Sequence, residues 1–220
     1  MKRILTLLLA VCIVFCLASC GKGISHEDFM AAEAGEEVTV EAYVQAKQSW
    51  WDNKAVFYLQ NEEGGFYVYN LPCTKAEYDE LEIGTKVRVI GTKAVYNGMH
   101  EIFPAESFEI LRGNWVADAT DITSKIGNND ELTKYQGMLA TLSDMTVVSV
   151  EYNNEGGDDI YLTVAKGEVQ HTLTVEVYLT GTDTEVYQTV GTLVAGDVVD
   201  VTGFVQWWNK FDMHITAVAK

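Results

Sequence analysis

Positive charge is scarce in this chain of 220 residues, which has 15 Lys and Arg against 32 Asp and Glu and a formal net charge of −17. Proteins bind nucleic acids largely by neutralising phosphates with Lys and Arg, and no basic cluster occurs here. A strongly negative chain is also repelled by anionic lipid headgroups. The charge therefore opposes nucleic acids and anionic membrane surfaces as partners.

Motifs for catalysis and metal binding are missing too. No HExxH, GxSxG, P-loop or dinucleotide-binding glycine pattern occurs in the sequence. Only Cys20 and Cys73 lie outside the apolar N-terminal segment that holds Cys12 and Cys16, so no disulfide is expected if Cys20 is modified. Only 2 prolines and no low-complexity run are present, which favours folded domains over a disordered stalk.

The N-terminus has the pattern of an export signal. Lys2 and Arg3 precede an apolar stretch over residues 4–17 that is too short to span a bilayer. The following residues, Leu17-Ala18-Ser19-Cys20, resemble the lipobox of bacterial lipoproteins. The resemblance implies removal of residues 1–19, a lipidated Cys20 and membrane anchoring on the extracytoplasmic side. One alternative is an ordinary cleaved signal peptide. The other is a retained membrane helix, which residues 21–23 disfavour because their glycines end the apolar run early.

A diverged internal repeat organises the rest of the chain. Its members, at one constant offset, are Gly84, Val87, Val89 and Gly91 in the first half and Gly196, Val199, Val201 and Gly203 in the second. In each half a glycine turn leads to a strand with Val on one face and a glycine suited to a bend. We expect a tether over 20–24 and two domains, 25–112 and 113–220.

Each half is predicted to form five strands with a short helix between the third and fourth. In the first half, alternation and turn residues place strands at 38–45, 55–60 and 66–71 and a helix at 75–81, with Ser25 capping an earlier helix that ends at Gly35. In the second half the expected strands are 135–150, 160–164 and 172–179, with a helix over 183–190.

That order predicts a mostly all-β chain of two tandem five-stranded Greek-key barrels. The segments YLQNEEGGFYVYN and GTKVRVIG resemble the core of OB-fold domains in exported bacterial proteins and lipoproteins. The resemblance is stronger in 36–104 than in 131–218 and implies a fold but no activity. A β-sandwich is the alternative architecture.

Two tryptophan doublets are the candidate ligand-binding residues. Trp50 and Trp51 follow the first strand, and Trp207, Trp208 and Asn209 lie between the last two strands. These two loops frame the ligand face of OB-folds, where aromatic rings stack on bases or sugars. The alternative is that some of these tryptophans close the barrel ends or join the domains.

A weaker candidate is a calcium site in an acidic loop. Glu155, Asp158 and Asp159 supply carboxylate oxygens there, but the spacing is not that of an EF-hand. His100 and His214 occupy equivalent repeat positions, which favours a structural role over a shared active site. No cofactor is otherwise indicated.

The sequence thus favours a non-catalytic binding or interaction module of the cell envelope. Its expected partners are the lipid bilayer, through Cys20, and an unidentified envelope protein, peptide or glycan. The alternative functions are an envelope enzyme or enzyme subunit with a calcium site, and an OB-fold protein that binds single-stranded nucleic acid.

Overall fold

The computed structural model describes residues 23–153 and 158–220. The predicted export signal, Cys20 and the calcium candidate Glu155 lie outside these residues. Within the described ranges, no helix has both the length and the apolar character needed to cross a membrane.

The first half forms a closed barrel. Its elements are α1 (His26–Ala31), β1 (Glu37–Lys47), β2 (Lys54–Gln60), β3 (Gly65–Pro72), α2 (Lys75–Glu80), β4 (Thr85–Tyr96) and β5 (Met99–Asn114). The strands pair in the order β1-β2-β3-β5-β4, and β4 closes the barrel on β1. The β3–β5 pair is parallel and the other pairs are antiparallel.

The second half repeats this arrangement. Its elements are β6 (Thr120–Asp121), α3 (Asn129–Thr133), β7 (Leu139–Tyr152), β8 (Ile160–Lys166), β9 (Val169–Val175), α4 (Val177–Thr180), α5 (Glu185–Gly191), β10 (Val198–Trp207) and β11 (Phe211–Ala219). The barrel order is β7-β8-β9-β11-β10, closed by the pairing of β10 with β7, and β6 adds a short parallel strand beside β7. Both halves therefore have OB-fold topology, and the β-sandwich alternative is wrong.

The repeated valines and glycines have the same role in both barrels. Val87 and Val89 point into the first core, as Val199 and Val201 do into the second. Register shifts occur at Gly91 in β4 and beside Gly203 in β10. A Cβ atom on Gly91 would lie 2.6 Å from the Ile102 side chain, and one on Gly203 would lie 2.4 Å from the His214 carbonyl oxygen. Glycine is needed there because the neighbouring strand crosses so closely.

Helix starts were predicted well, and several boundaries were not. Ser25 and Thr74 accept hydrogen bonds from the first turns of α1 and α2, and α2 has a full capping box with Glu77. Helix α1 ends at Ala31, before the predicted Gly35. The strand predicted over 172–179 ends at Val175, because the Glu176 carboxylate caps a separate helix, α4.

The outer faces of the two barrels meet over a third hydrophobic cluster. Its buried members come from both halves: Ala46, Val56, Tyr58, Tyr67, Met99 and Phe204. The rings of Tyr58 and Phe204 stack at a centroid distance of 4.5 Å. A Cβ on Gly65 would lie 2.2 Å from the carbonyl carbon of Gly137, so the two backbones touch directly.

Glutamine side chains bond the two backbones together at this interface. The Gln60 Oε1 atom accepts from the Leu139 amide at 2.8 Å. In the opposite direction, Gln136 accepts from the His100 amide at 2.8 Å and donates to the Gly98 carbonyl at 2.9 Å. Gln136 is 2 % exposed and Gln60 is 4 % exposed, so these bonds are shielded from water.

Candidate functional site

An open cleft of about 800 Å³ lies between the barrels, next to the third hydrophobic cluster. Its walls carry eight aromatic side chains. Those of the first barrel are Tyr67, Tyr69, Tyr96 and Phe103. Those of the second barrel are Tyr161, Tyr178, Trp207 and Trp208. Concave sites of this size with aromatic walls are typical of small-molecule binding sites.

Equivalent strand pairs supply the facing walls. Residues on β3 and β5 alternate, so Val68 and Ile102 enter the first core while their neighbours, Tyr67 and Glu101, line the cleft. Tyr67 and Glu101 are direct partners in the parallel β3–β5 pair. The β9–β11 pair repeats this arrangement in the second barrel, where His214 pairs with Thr174 and both line the cleft.

A tyrosine–histidine–glutamine chain lies beside the cleft, and its members Gln206 and His214 belong to the lining. Gln206 Nε2 donates to the hydroxyl oxygen of Tyr58 at 3.0 Å, and that hydroxyl lies 2.6 Å from His214 Nδ1. The hydroxyl accepts from Gln206, so it has a proton to donate to His214 Nδ1, which accepts in the tautomer that carries its proton on Nε2. Burial lowers the pKa of His214 to about 4 and so keeps the ring neutral.

Three carboxyl groups of the cleft have strongly raised pKa values. Burial raises the pKa of Asp212, of Glu176 and of Glu101 to about 7 in each case. Asp212 accepts from the Thr174 hydroxyl at 2.9 Å and from the Met213 amide at 2.6 Å. Glu176 accepts from Gln48 Nε2 at 3.0 Å, which joins the two barrels across the cleft. These bonds offset only part of the desolvation.

Glu101 adjoins a buried lysine in the wall of the first barrel. Lys93 is 1 % exposed, and its Nζ atom lies 2.9 Å from His100 Nδ1 and 3.6 Å from the centroid of the Phe29 ring. Burial lowers the pKa of Lys93 to about 7, and the Glu101 charge acts in the opposite direction. His100 therefore contacts the buried lysine, whereas His214 at the equivalent repeat position lines the cleft.

The first tryptophan doublet lies away from the cleft. Trp50 is half-buried against the first core, and its indole N–H donates to the Cys73 carbonyl at 2.9 Å. Trp51 is 54 % exposed, with Lys54 Nζ 4.0 Å from its ring centroid. One member of this doublet therefore packs and the other faces solvent.

The second doublet lines the cleft and touches both barrels. The Trp207 ring lies against Gly98 of the β4–β5 turn, since a Cβ there would be 2.5 Å from Trp207 Cδ1. Trp208 is 58 % exposed and meets Tyr96 edge-on at 5.4 Å between centroids. Asn209 adopts a φ of 59°, and its amide donates to the Asn97 carbonyl at 2.6 Å.

The acidic loop is used for structure where it is described. Asp159 Oδ1 accepts from the Val177 amide at 2.8 Å, and the Asp158 carbonyl accepts from the Tyr187 hydroxyl at 2.6 Å. Among residues 23–153 and 158–220, no group of three or more His, Cys, Asp or Glu is placed to hold a metal ion. Asp159 lines the cleft instead.

Most residues that line the cleft were not predicted from the sequence as site residues. The available signal was an exception to strand alternation: Tyr67, Tyr69 and Phe103 occupy outward positions that are usually polar. Outward aromatic residues mark a covered or ligand-binding face. Which outward faces meet is decided by the packing of the barrels, so this signal alone could not assemble the site.

No protein-family model matches the chain, and no curated protein matches it either. Solved structures similar to it include the p204 HINb domain, at 12% identity and a TM-score of 0.39, with 86% of this chain and 100% of that chain covered. A murine DNA-binding protein bound to double-stranded DNA is similar at 10% identity and a TM-score of 0.39, with 83% of this chain and 97% of that chain covered.

Two further structures are more distant. The single-stranded DNA binding protein of Thermus aquaticus has 16% identity and a TM-score of 0.26, with 85% of this chain and 95% of that chain covered. The asparaginyl-tRNA synthetase of Entamoeba histolytica has 12% identity and a TM-score of 0.34, with 48% of this chain covered. The chain spans only 29% of that synthetase.

The split role of the first doublet gives a direct test. Trp50→Ala removes packing and the bond to the Cys73 carbonyl, so we expect a loss of about 2 kcal/mol or more in the free energy of unfolding. Trp51→Ala removes an exposed ring and should change this free energy by less than about 0.5 kcal/mol. Denaturant unfolding of both variants measures the difference, and equal losses would contradict the assignment.

The raised pKa of Asp212 predicts that the stability difference between wild type and Asp212→Asn depends on pH. Its pKa is raised in the folded state, so its contribution is fully stabilising below its unfolded pKa and is lost as the pH rises through about 7. Asp212→Asn keeps an oxygen for the Met213 amide and removes the charge. We expect this variant to melt about 2 °C or more above wild type at pH 8, with the gain shrinking as the pH falls below about 7 and gone below about pH 4. The exposed Asp118→Asn provides the control, and a gain that is independent of pH would refute the explanation.

Proposed function

We propose that this chain is an exported, lipid-anchored binding protein without catalytic activity, whose ligand occupies the cleft between its two barrels. The observation that carries the proposal is the cleft itself. Its volume of about 800 Å³ falls in the usual range for ligand sites. Large exposed rings such as Trp208 and Tyr178 at its edge offer apolar area at little loss of side-chain entropy.

The anchoring half of the proposal comes from the N-terminus. The lipobox-like Leu17-Ala18-Ser19-Cys20 follows a short apolar segment, and only a few residues separate Cys20 from the first described element at His26. Two acyl chains on one cysteine give stable membrane attachment, because each buried CH₂ contributes about 0.8 kcal/mol. A tether this short would hold the cleft close to the membrane surface.

Nucleic acid is disfavoured as the ligand by the charges of the cleft. Two of the similar structures are described as DNA-binding proteins, whereas this cleft has four carboxyl groups and one lysine, Lys210. Phosphate binding needs the opposite balance.

An envelope enzyme is the second candidate function, because carboxyl groups with raised pKa values in a cleft are also typical of general acids. Asp212 and Glu176 are the residues concerned. Turnover of a substrate by the purified protein, abolished by Asp212→Asn, would replace binding with catalysis as the function.

Lipid anchoring is tested by Cys20→Ser. We expect the wild-type protein to be labelled by a fatty-acid analogue and to sediment with membranes, because its acyl chains partition into the bilayer. The serine variant cannot form the thioether and should be unlabelled, with the uncleaved leader retained. Cys73→Ser is the matched control and should behave as wild type in both assays. Labelling that persists in Cys20→Ser would overturn the anchor.

Ligand binding in the cleft is tested by substituting two tryptophans of similar exposure. Trp208 lines the cleft and is 58 % exposed, and Trp51 lies outside it and is 54 % exposed. A panel of neutral sugars, short peptides and amines is screened by thermal shift on the purified protein. Any compound that raises the melting temperature should do so equally in Trp51→Ala, and its Kd should rise by about tenfold in Trp208→Ala. A compound whose binding depends on Trp51 instead would place the site elsewhere.

A further inference from the structure

The carboxyl groups of the cleft have no cationic partner in the described part of the chain. None of the ion pairs there involves Glu101, Asp159, Glu176 or Asp212. The single cationic side chain of the lining, Lys210, is exposed. The lining therefore carries four carboxyl groups against one lysine, whose charge lowers the pKa of Asp212 but which forms no ion pair with the cleft's carboxyl groups.

Glu101 is a buried member of this group whose carboxylate has no partner in the described residues. It is 6 % exposed and lines the cleft, and across residues 23–153 and 158–220 its carboxylate takes part in no hydrogen bond or ion pair. The charge of Lys93 acts on it from the protein side, where the lysine ammonium is directed at His100. A carboxylate that keeps little contact with water and has no hydrogen-bond partner is costly, and a cation in the cleft would relieve that cost.

Some side-chain donors around the carboxyl groups are used within the protein. Gln48 Nε2 donates to Glu176, Gln206 Nε2 donates to Tyr58, and the Thr174 hydroxyl donates to Asp212. A ligand with N–H donors matches the acceptor oxygens that the carboxylates still offer, whereas a phosphate or carboxylate ligand would meet like charge.

The aromatic walls attract the same class of ligand. Ring faces bind cations through the quadrupole of the π-system, and enclosure strengthens the attraction. Tyr69 and Phe103 pack edge to face at 5.4 Å, as do Tyr96 and Trp208 at 5.4 Å. An organic cation could therefore contact rings with its carbon atoms and carboxylates with its charged group.

We propose that the cleft binds a small organic cation with an alkylammonium or guanidinium group seated against Glu101, Glu176 and Asp212, an inference that rests on the proposed function. The apolar part of the ligand lies between the aromatic walls of the two barrels. Burial raises the pKa of each of the three carboxyl groups to about 7, because desolvation destabilises the charged carboxylates. A bound cation would reduce this destabilisation.

The experiment uses two probes that share a ring and differ in charge, benzylamine and benzyl alcohol, together with the diamine putrescine. Each is titrated into the full-length chain purified in detergent at pH 8, and binding is followed by calorimetry and by tryptophan emission. We expect benzylamine to bind at least about tenfold more tightly than benzyl alcohol, because only the amine pairs with the carboxylates.

Charge-removing variants locate the cation. Glu101→Gln and Asp212→Asn should each raise the Kd of benzylamine by about tenfold and leave that of benzyl alcohol unchanged. Glu106→Gln is the matched control, since Glu106 lies on the same strand as Glu101 but is exposed and outside the cleft. Circular dichroism of each variant confirms that the fold is retained.

The outcomes separate the inference from the function on which it rests. Benzylamine and benzyl alcohol binding equally well, with both lost in Trp208→Ala, would overturn the cationic ligand and leave a binding cleft. Amine binding that falls equally in Glu106→Gln would show a diffuse charge effect and also overturn the inference. If no probe or panel compound binds and the tryptophan emission never changes, the proposed function fails as well.

Discussion

Contact between the outer faces of the two barrels is the constraint on which the cleft depends. At Gly65 and Gly137 the backbones approach so closely that a Cβ atom on Gly65 would be 2.2 Å from the Gly137 carbonyl carbon. Gln60 and Gln136 then bond each barrel to the backbone of the other. Because directional bonds between buried groups allow little sliding, the two sets of outward side chains are held at one separation, and the space between them is the cleft.

The pKa values of carboxyl groups in the cleft lie far above their ordinary range. Outward positions on strands are normally solvated, and their carboxyl groups then keep their usual pKa. Glu101 and Asp212 line the cleft instead, and burial there raises the pKa of both to about 7. The interface therefore destabilises its own carboxylates, and the aromatic contacts of the third hydrophobic cluster, such as Tyr58 on Phe204, offset that cost.

Local rules predicted the fold because each barrel is specified by short-range patterns. Alternation identified the inward valines, and Gly91 and Gly203 identified the bends, since steric exclusion of a Cβ at these positions needs only the neighbouring strand. Prediction was wrong at 172–179, where β-propensity of the residues favoured a continued strand. The strand ends at the Glu176 cap, and the second carboxylate oxygen of Glu176 accepts from Gln48 of the other barrel.

By itself, the sequence determined the repeat, the two-barrel architecture and the negative net charge. It also placed the second tryptophan doublet at the turn between the last two strands. The lipobox-like signal also belongs to the sequence, because signal recognition reads linear residues. Only the tertiary structure decided that Trp208 faces Tyr96 across the barrels while Trp51 points away, and that Glu101 and Asp212 share one cleft. The reason is that alternation assigns a side chain to a face of its own sheet, whereas the partner of that face is chosen by packing between elements far apart in the chain.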